Sequence, residues 1–169
     1  MTDTPARIDP GTFWRTLGAR ATGMTVVTAE GDEGPAGFLG LSAAHVAADP
    51  ATMLVSIDAK TSALAGVLSR RHFAVNFLPA EAGHVADAFG GKAGLSGAER
   101  FVEGEWTTLA TGAPVLKSAL GVFDCVVDDV IARGGISIVI GTVAAATSRA
   151  EGEPLLFFRG KVMKGFGGA

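Results

Sequence analysis

The chain has a single cysteine, Cys125. That excludes an intramolecular disulfide and leaves no thiolate cluster for a structural metal. Positive charge is scarce as well. Fourteen Lys and Arg stand against 17 Asp and Glu, for a net charge of −3. Only Arg70 and Arg71 are adjacent, so there is no basic stripe of the kind that tracks nucleic acid. Long apolar runs are absent. The longest, residues 136–146, is broken by Ser137, Gly141 and Thr142 and falls short of the roughly 20 residues a membrane helix needs. The N-terminus lacks the charged-then-apolar pattern of a secretory signal, and a cytoplasmic protein is expected. Gly91-Lys92 stands outside the Gly-x-x-x-x-Gly-Lys-[Ser/Thr] spacing of a nucleotide-binding loop. No internal repeat, low-complexity tract or linker is present.

What is there fits one domain: 169 residues can bury a full core without staples. A loose arm over residues 1–11 and a single domain over residues 12–169 are expected. The charged fraction is only 18%, which points to an apolar surface suited to a subunit interface. Thr12 is placed to cap a helix carrying Phe13, Trp14, Leu17 and Ala21 on one face. Residues 24–28, 36–44, 53–57, 73–78, 122–132, 136–147 and 155–159 read as strands. The first two of these flank a polar turn as a hairpin, and Gly134-Gly135 turns a second, longer one. Helices are expected over residues 63–70 and 81–89. Residues 90–97 read as a glycine-rich loop, 101–114 as irregular with Trp106 on a short strand, 115–120 as a turn or short helix, and 160–169 as a tail. Many short strands with few helices predict a mainly β, antiparallel barrel.

Residues 37–64 organise the rest. Gly37, Gly40, Ser42, Ala43 and Ala44 are small and leave backbone N–H groups open to a flat or anionic ligand. Asp49-Pro50 turns the chain. The apolar strand Met53 to Ile57 follows, and Asp58, Lys60, Thr61 and Ser62 gather at its end. Ser62 is placed to cap the following helix. Two strands around a turn, with polar groups at their ends, make a ligand cradle.

The order and spacing of several segments resemble the flavin reductase-like family of FMN-binding split barrels. Ala21-Thr22-Gly23-Met24-Thr25-Val26-Val27-Thr28 is close to that family's A-T-G-V-T-V-V-T. Gly37, Phe38, Ser42, Val46, Asp49 and Pro50 fall in step with its G-[LM]-T-A-N-[SA]-x-x-[ST]-V-x-x-D-P-P, and Asp58 and Ser62 stand where expected after it. His72 to Asn76, Phe89-Gly90-Gly91-Lys92, Phe123-Asp124-Cys125, Ile140-Gly141 and residues 153–158 extend the match from about residue 13 to residue 166. The resemblance implies a six-stranded antiparallel split barrel with Greek-key topology and a few flanking helices. It also implies a homodimer with the flavin near the interface.

By the same resemblance, Thr25 and Val26 lie along the flavin. Phe38, Leu39, Gly40, Leu41 and Ser42 aim groups at the isoalloxazine and ribityl chain. His45 approaches a phosphate or substrate, or is an exposed turn residue. Ser56, Ile57, Asp58, Lys60 and Ser62 make ribityl or phosphate contacts, and Phe89 lies near the ring's outer edge. His72 and His84 read as structural or solvated, and Cys125 as a buried small hydrophobe. Two departures stand out. Leu39 and Leu41 replace a Thr and an Asn, removing two side-chain hydrogen bonds of about 1 kcal/mol each while leaving backbone donors intact. Gly134-Gly135-Ile136 replaces a Gly-Asp-His associated with the nicotinamide side.

What the resemblance implies is an NAD(P)H-dependent flavin oxidoreductase using FMN, or FAD, and supplying reduced flavin to a partner monooxygenase. An alternative keeps FMN bound and passes electrons to a dedicated acceptor such as the cobalt of a corrinoid, for which leucines at 39 and 41 would give a more apolar face. A non-catalytic flavin-binding protein is the alternative of another class. No catalytic side chain is required, because the flavin carries the redox chemistry. No Gly-x-Gly-x-x-Gly with a downstream acid separates NADH from NADPH.

Overall fold

The computed structural model describes residues 6–166. Helix α1 (Pro10–Gly18) begins earlier than expected. Asp9, not Thr12, is its cap: Asp9 Oδ1 accepts the Thr12 N–H at 3.0 Å, and Pro10 occupies the first turn. The Thr12 hydroxyl and N–H hold the Asp9 carboxyl below its ordinary pKa. The first five residues of the expected arm lie outside the described residues.

After the two-residue strand β1 (Thr22–Gly23) come β2 (Thr25–Gly31) and β3 (Gly34–Leu39), joined across Asp32-Glu33 as the expected hairpin. Strands β4 (Ala44–Ala48) and β5 (Ala51–Asp58) form a second one. Helix α2 (Ala63–Arg70), strand β6 (His72–Phe77), helix α3 (Gly83–Phe89) and a 3-10 turn (Gly97–Arg100) follow. The short strands β7 (Trp106–Thr108) and β8 (Pro114–Leu116) precede the long hairpin of β9 (Gly121–Arg133) and β10 (Ile136–Ser148). Strands β11 (Leu155–Phe158) and β12 (Lys161–Lys164) end the chain.

The fold is mainly β, with a main antiparallel sheet in the order β3-β2-β6-β9-β10-β5-β4. It has seven strands where six were expected. The extra strand is the edge β4, whose residues were read as the end of the preceding strand and the approach to a turn. Two further departures share a cause. Residues 115–120 start as strand β8, and the glycine-rich tail contains β12; both strands exist because they pair with partners, β7 and β11.

The sheet must roll. Laid flat, six gaps of about 4.8 Å would separate its edges by about 29 Å. The edges β3 and β4 are joined by residues 40–43 alone, which span at most about 17 Å from Leu39 to Ala44. Val27, Val55, Ile57, Phe73, Val75, Cys125 and Val139 fill the resulting interior, all fully buried. Gly141 lets the wall close: a Cβ there would meet the Val126 carbonyl oxygen at 2.7 Å and the Phe73 ring at 2.8 Å. The outer face of β2 and β6 carries a second cluster built from Met24, Val26, Leu78, Val85, Phe89, Val115 and Leu116. Successive residues of β2 thus serve two cores, which is why its first five are all buried.

Polar residues lock the outer layer. Asn76 is fully buried. Its Nδ2 donates to the Val26 carbonyl at 3.1 Å and to Thr28 Oγ1 at 3.2 Å, while its Oδ1 accepts the Leu116 N–H at 2.8 Å. Buried Asp124 accepts from the Thr111 N–H at 2.8 Å and from the Thr111 hydroxyl. Burial and the neighbouring Asp124 and Asp128 push the Cys125 thiol up to about 12, which agrees with an inert core thiol.

Candidate functional site

The strap of residues 40–43, tying one sheet edge to the other, is the centre of the site. Its first residue is fixed by Thr25: the Gly40 N–H donates to the Thr25 carbonyl at 2.9 Å, and the Thr25 hydroxyl donates to the Gly40 carbonyl. Glycine is required here, because a Cβ would sit 2.7 Å from Val27 Cγ2. The other end is held by Ser42, whose hydroxyl donates to the Ser56 carbonyl at 3.2 Å and accepts the Ser56 N–H at 3.3 Å. Along the strap the N–H groups of Leu41, Ser42 and Ala43 take no partner among the described residues. Three successive uncommitted donors beside apolar walls are a ready site for the acceptor edge of a planar ligand.

The strap borders two hollows. On one side Ala43, Thr25, Phe77, Phe123 and Thr147 line an apolar cavity of 720 Å³ at the barrel mouth. That volume falls within the range of small-molecule sites. Phe77 and Phe123 meet edge-to-face with centroids 5.7 Å apart. On the other side Leu41 faces a 250 Å³ groove with Trp14, Leu17, Arg20 and Phe157.

The residues after β5 continue the cradle. Asp58 Oδ1 accepts the Lys60 N–H at 2.8 Å, and its carbonyl accepts the Thr61 N–H at 2.9 Å. The Ala59 N–H donates to Gly135 at 2.9 Å, tying this turn to the β9–β10 hairpin. Ile136 therefore lies in register with Asp58. The Lys60 ammonium is in no ion pair among the described residues. His45 is exposed on β4, opposite Met53.

Six of the expected site residues have side chains that lie in a core or in another hollow. The side chains of Val26 and Ile57 are wholly buried, one in each core. Phe38 is half-buried against the barrel interior. Phe89 belongs to an aromatic cluster, edge-on to Phe101 at 5.0 Å and tilted to Trp106 at 5.6 Å. It packs behind β3: its ring fills the space a Cβ on Gly37 would need, 2.8 Å away. Ser62 does not cap α2; its backbone is already helical and its side chain makes no cap bond. It opens instead onto a polar cleft shared with Asp32, Glu33 and Ser96. Leu39 packs against the outer core, with its Cδ2 3.4 Å from the Cβ position of Gly90. The apolar substrate face expected from two leucines is thus reduced to Leu41.

The groove beside Leu41 was not foreseen. Trp14 was read as part of one apolar helix face, and in the structure that face is uncovered: no residue of α1 is buried and Trp14 is 65% exposed. The signal available in the sequence was the adjacent pair Trp14-Arg15.

A rolled antiparallel sheet with an open donor strap across its split and an apolar mouth beside it defines a split barrel built to hold a flat, acceptor-rimmed ring. The chain belongs to the flavin reductase like domain family, which it matches over residues 17–165. It is 32% identical to "FMN reductase (NADH) RutF" of Bradyrhizobium diazoefficiens over 151 residues, covering 89% of this chain and 83% of that relative. It is 36% identical to the protein of the same name from Agrobacterium fabrum over 135 residues, covering 80% and 76%. Among solved structures it resembles BorF, the flavin reductase component of a bacterial two-component tryptophan halogenase, with a TM-score of 0.83 and 28% identity over 92% of this chain and 97% of that one. It likewise resembles the NADH:FAD oxidoreductase SgcE6 of Streptomyces globisporus, with a TM-score of 0.83 and 27% identity over 95% and 98%. No described helix is long and apolar enough to cross a membrane.

The residues present fit a flavin. The strap offers unpaired N–H donors to a ring edge, Ser42 and Lys60 offer polar contacts further along, and the mouth offers apolar walls.

Proposed function

We propose that this protein is an NADH-dependent flavin reductase that uses FMN in preference to FAD and supplies reduced flavin to a partner monooxygenase in the cytoplasm. The chain is a flavin oxidoreductase by family and fold. The observation that carries the reading on this chain's own residues is the strap, anchored at Gly40 and Ser42, with three successive N–H groups lacking partners among the described residues.

When bound, flavin supplies the hydride-accepting chemistry. The protein does the rest. The N–H groups of Leu41, Ser42 and Ala43 orient the ring edge and stabilise the negative charge it gains on reduction, because they are fixed before the reaction and need no reorganisation. Phe77 and Phe123 exclude water from one side of the mouth. Lys60 offers its charge to the phosphate. No side chain is asked to move a proton.

The outward face of β5 and β10 supports a homodimer. Leu54, Ile136, Ile138 and Ile140 point away from the barrel interior, are half-buried, and lie beside Ser56. A second copy seated there would cover this apolar face next to the strap.

The test is an absorption spectrum of the gel-filtered protein, followed by NADH under anaerobic conditions. A colourless protein that accelerates NADH oxidation when FMN is supplied is the expected result. A bound flavin that bleaches on NADH would move the assignment to a reductase with a dedicated acceptor. No flavin binding and no NADH oxidation with either flavin would overturn the reading.

A further inference from the structure

Three hollows run in series across one flank. The barrel mouth and the groove at Leu41 share Thr22. That groove and a third hollow of 520 Å³ share Trp14, Gly18 and Gly160. Arg20 stands in the groove, and Arg15 and Arg159 line the third hollow. None of these arginines is in an ion pair among the described residues. In a chain of net charge −3, three unpaired guanidinium groups around an exposed indole mark a place for an anion attached to a flat ring.

Two of the three cationic groups, Arg159 and Arg15, are held in place. The Arg159 guanidinium lies over the Phe158 ring, 5.0 Å from its centroid. Its backbone has a φ of 47°, a left-handed conformation uncommon outside glycine, and its N–H donates to the Gly18 carbonyl at 3.0 Å. Arg15 Nη2 donates to Thr12 Oγ1 at 2.9 Å. Such pre-placement lowers the entropy a ligand must overcome.

Building on the flavin-reductase reading, we infer that this flank binds the adenosine diphosphate half of a dinucleotide whose redox-active half sits at the strap. Adenine stacks on Trp14, and the diphosphate engages Arg15, Arg20 and Arg159. Two molecules of the reaction carry that half, NADH and FAD, and the chemistry of the flank is the same for both.

The test has a binding arm and a kinetic arm. ADP titrated into the protein quenches tryptophan fluorescence, and the quench is lost in Trp14→Phe. Arg15→Gln and Arg159→Gln each weaken ADP binding about tenfold, the factor given by one charge-assisted contact of about 1.4 kcal/mol. Arg159→Lys restores part of the affinity, which a merely structural role for Arg159 would not produce. In the kinetic arm, if NADH is the source, the two Gln variants raise KM for NADH and leave KM for reduced nicotinamide mononucleotide unchanged. If FAD is the source, they raise KM for FAD and leave FMN unchanged. No quench by ADP, or unchanged KM values for all four compounds, overturns the inference while leaving the flavin-reductase reading intact. A change of oligomeric state in Trp14→Ala without any effect of ADP overturns it too and assigns the flank to a subunit contact. Should the wild type oxidise no NADH, the functional reading fails, and the ADP titration alone still decides the flank.

Discussion

The barrel interior and the α1 flank are opposites built from similar residues. Inside, Phe73, Val75 and Val139 are fully buried and committed to each other. On the flank, Phe13, Trp14 and Leu17 are 48%, 65% and 44% exposed, and their neighbours Arg15, Arg20 and Arg159 lack acidic partners among the described residues. Apolar area removed from water is what stabilises a fold. The interior therefore carries stability, and the flank is free to be selected for recognition. The strap lies between the two and belongs to both: Gly40 is packed against Val27, and Leu41 opens onto the groove.

Substitutions can break that contrast in a graded way. The largest effect is expected from Phe73→Ala, which empties the barrel centre and lowers the free energy of unfolding in urea by about 3–5 kcal/mol. Next is Gly40→Ala. Its Cβ would meet Val27 Cγ2 at 2.7 Å and Phe38 Cε2 at 3.2 Å, so the strap must shift, at about 1–3 kcal/mol, and flavin affinity in a fluorescence titration falls with it. Gly83→Ala is its control, since nothing lies within 4 Å of the added atom and the residue lines neither hollow beside the strap; both stability and affinity stay near wild type.

A smaller effect comes from Cys125, whose thiol is pushed from 9.0 to about 12 by burial first and by Asp124 and Asp128 next. The folded state holds this proton more tightly than the unfolded chain. The contribution is neutral below about pH 9, and stability declines as pH rises from about 9 towards 12. Unfolding midpoints measured across that window fall less steeply in Cys125→Ala. A small effect on stability belongs to Trp14→Ala, within about 0.5 kcal/mol, because the indole is 65% exposed and belongs to neither core. A large loss there would erase the distinction between core and flank.

How much of this was readable depended on whether a segment's neighbours lie near it in the chain. Helix α2 ran over the residues its pattern predicted, and both hairpins turned where their polar or glycine residues said. Strand β4 was obscure because Ala44, Ala47 and Ala48 have little preference for extended structure; it exists by pairing with β5. Strand β8 was read as a turn because what fixes it is distant, namely Asn76 and Thr28 reaching across from the sheet. At the site, the strap was legible from its small residues. The side-chain directions of Val26, Ile57 and Phe89 were not, because a sequence motif gives proximity to a ligand without saying which way a side chain turns. The flank was illegible for a different reason: an amphipathic helix announces an apolar face, and nothing in the chain says that the face stays uncovered.

The strap gives the rolled sheet a seam. Elsewhere each strand is stitched to two neighbours, but β3 and β4 share no rungs and are held together by a ribbon of four residues. Opening motions of the barrel should start along that seam, where the fewest bonds need to break. A ring seated against Leu41, Ser42 and Ala43 would supply rungs the sheet itself does not have. Cofactor occupancy and closure of the seam then become one quantity, readable as slowed deuterium uptake at those three amides.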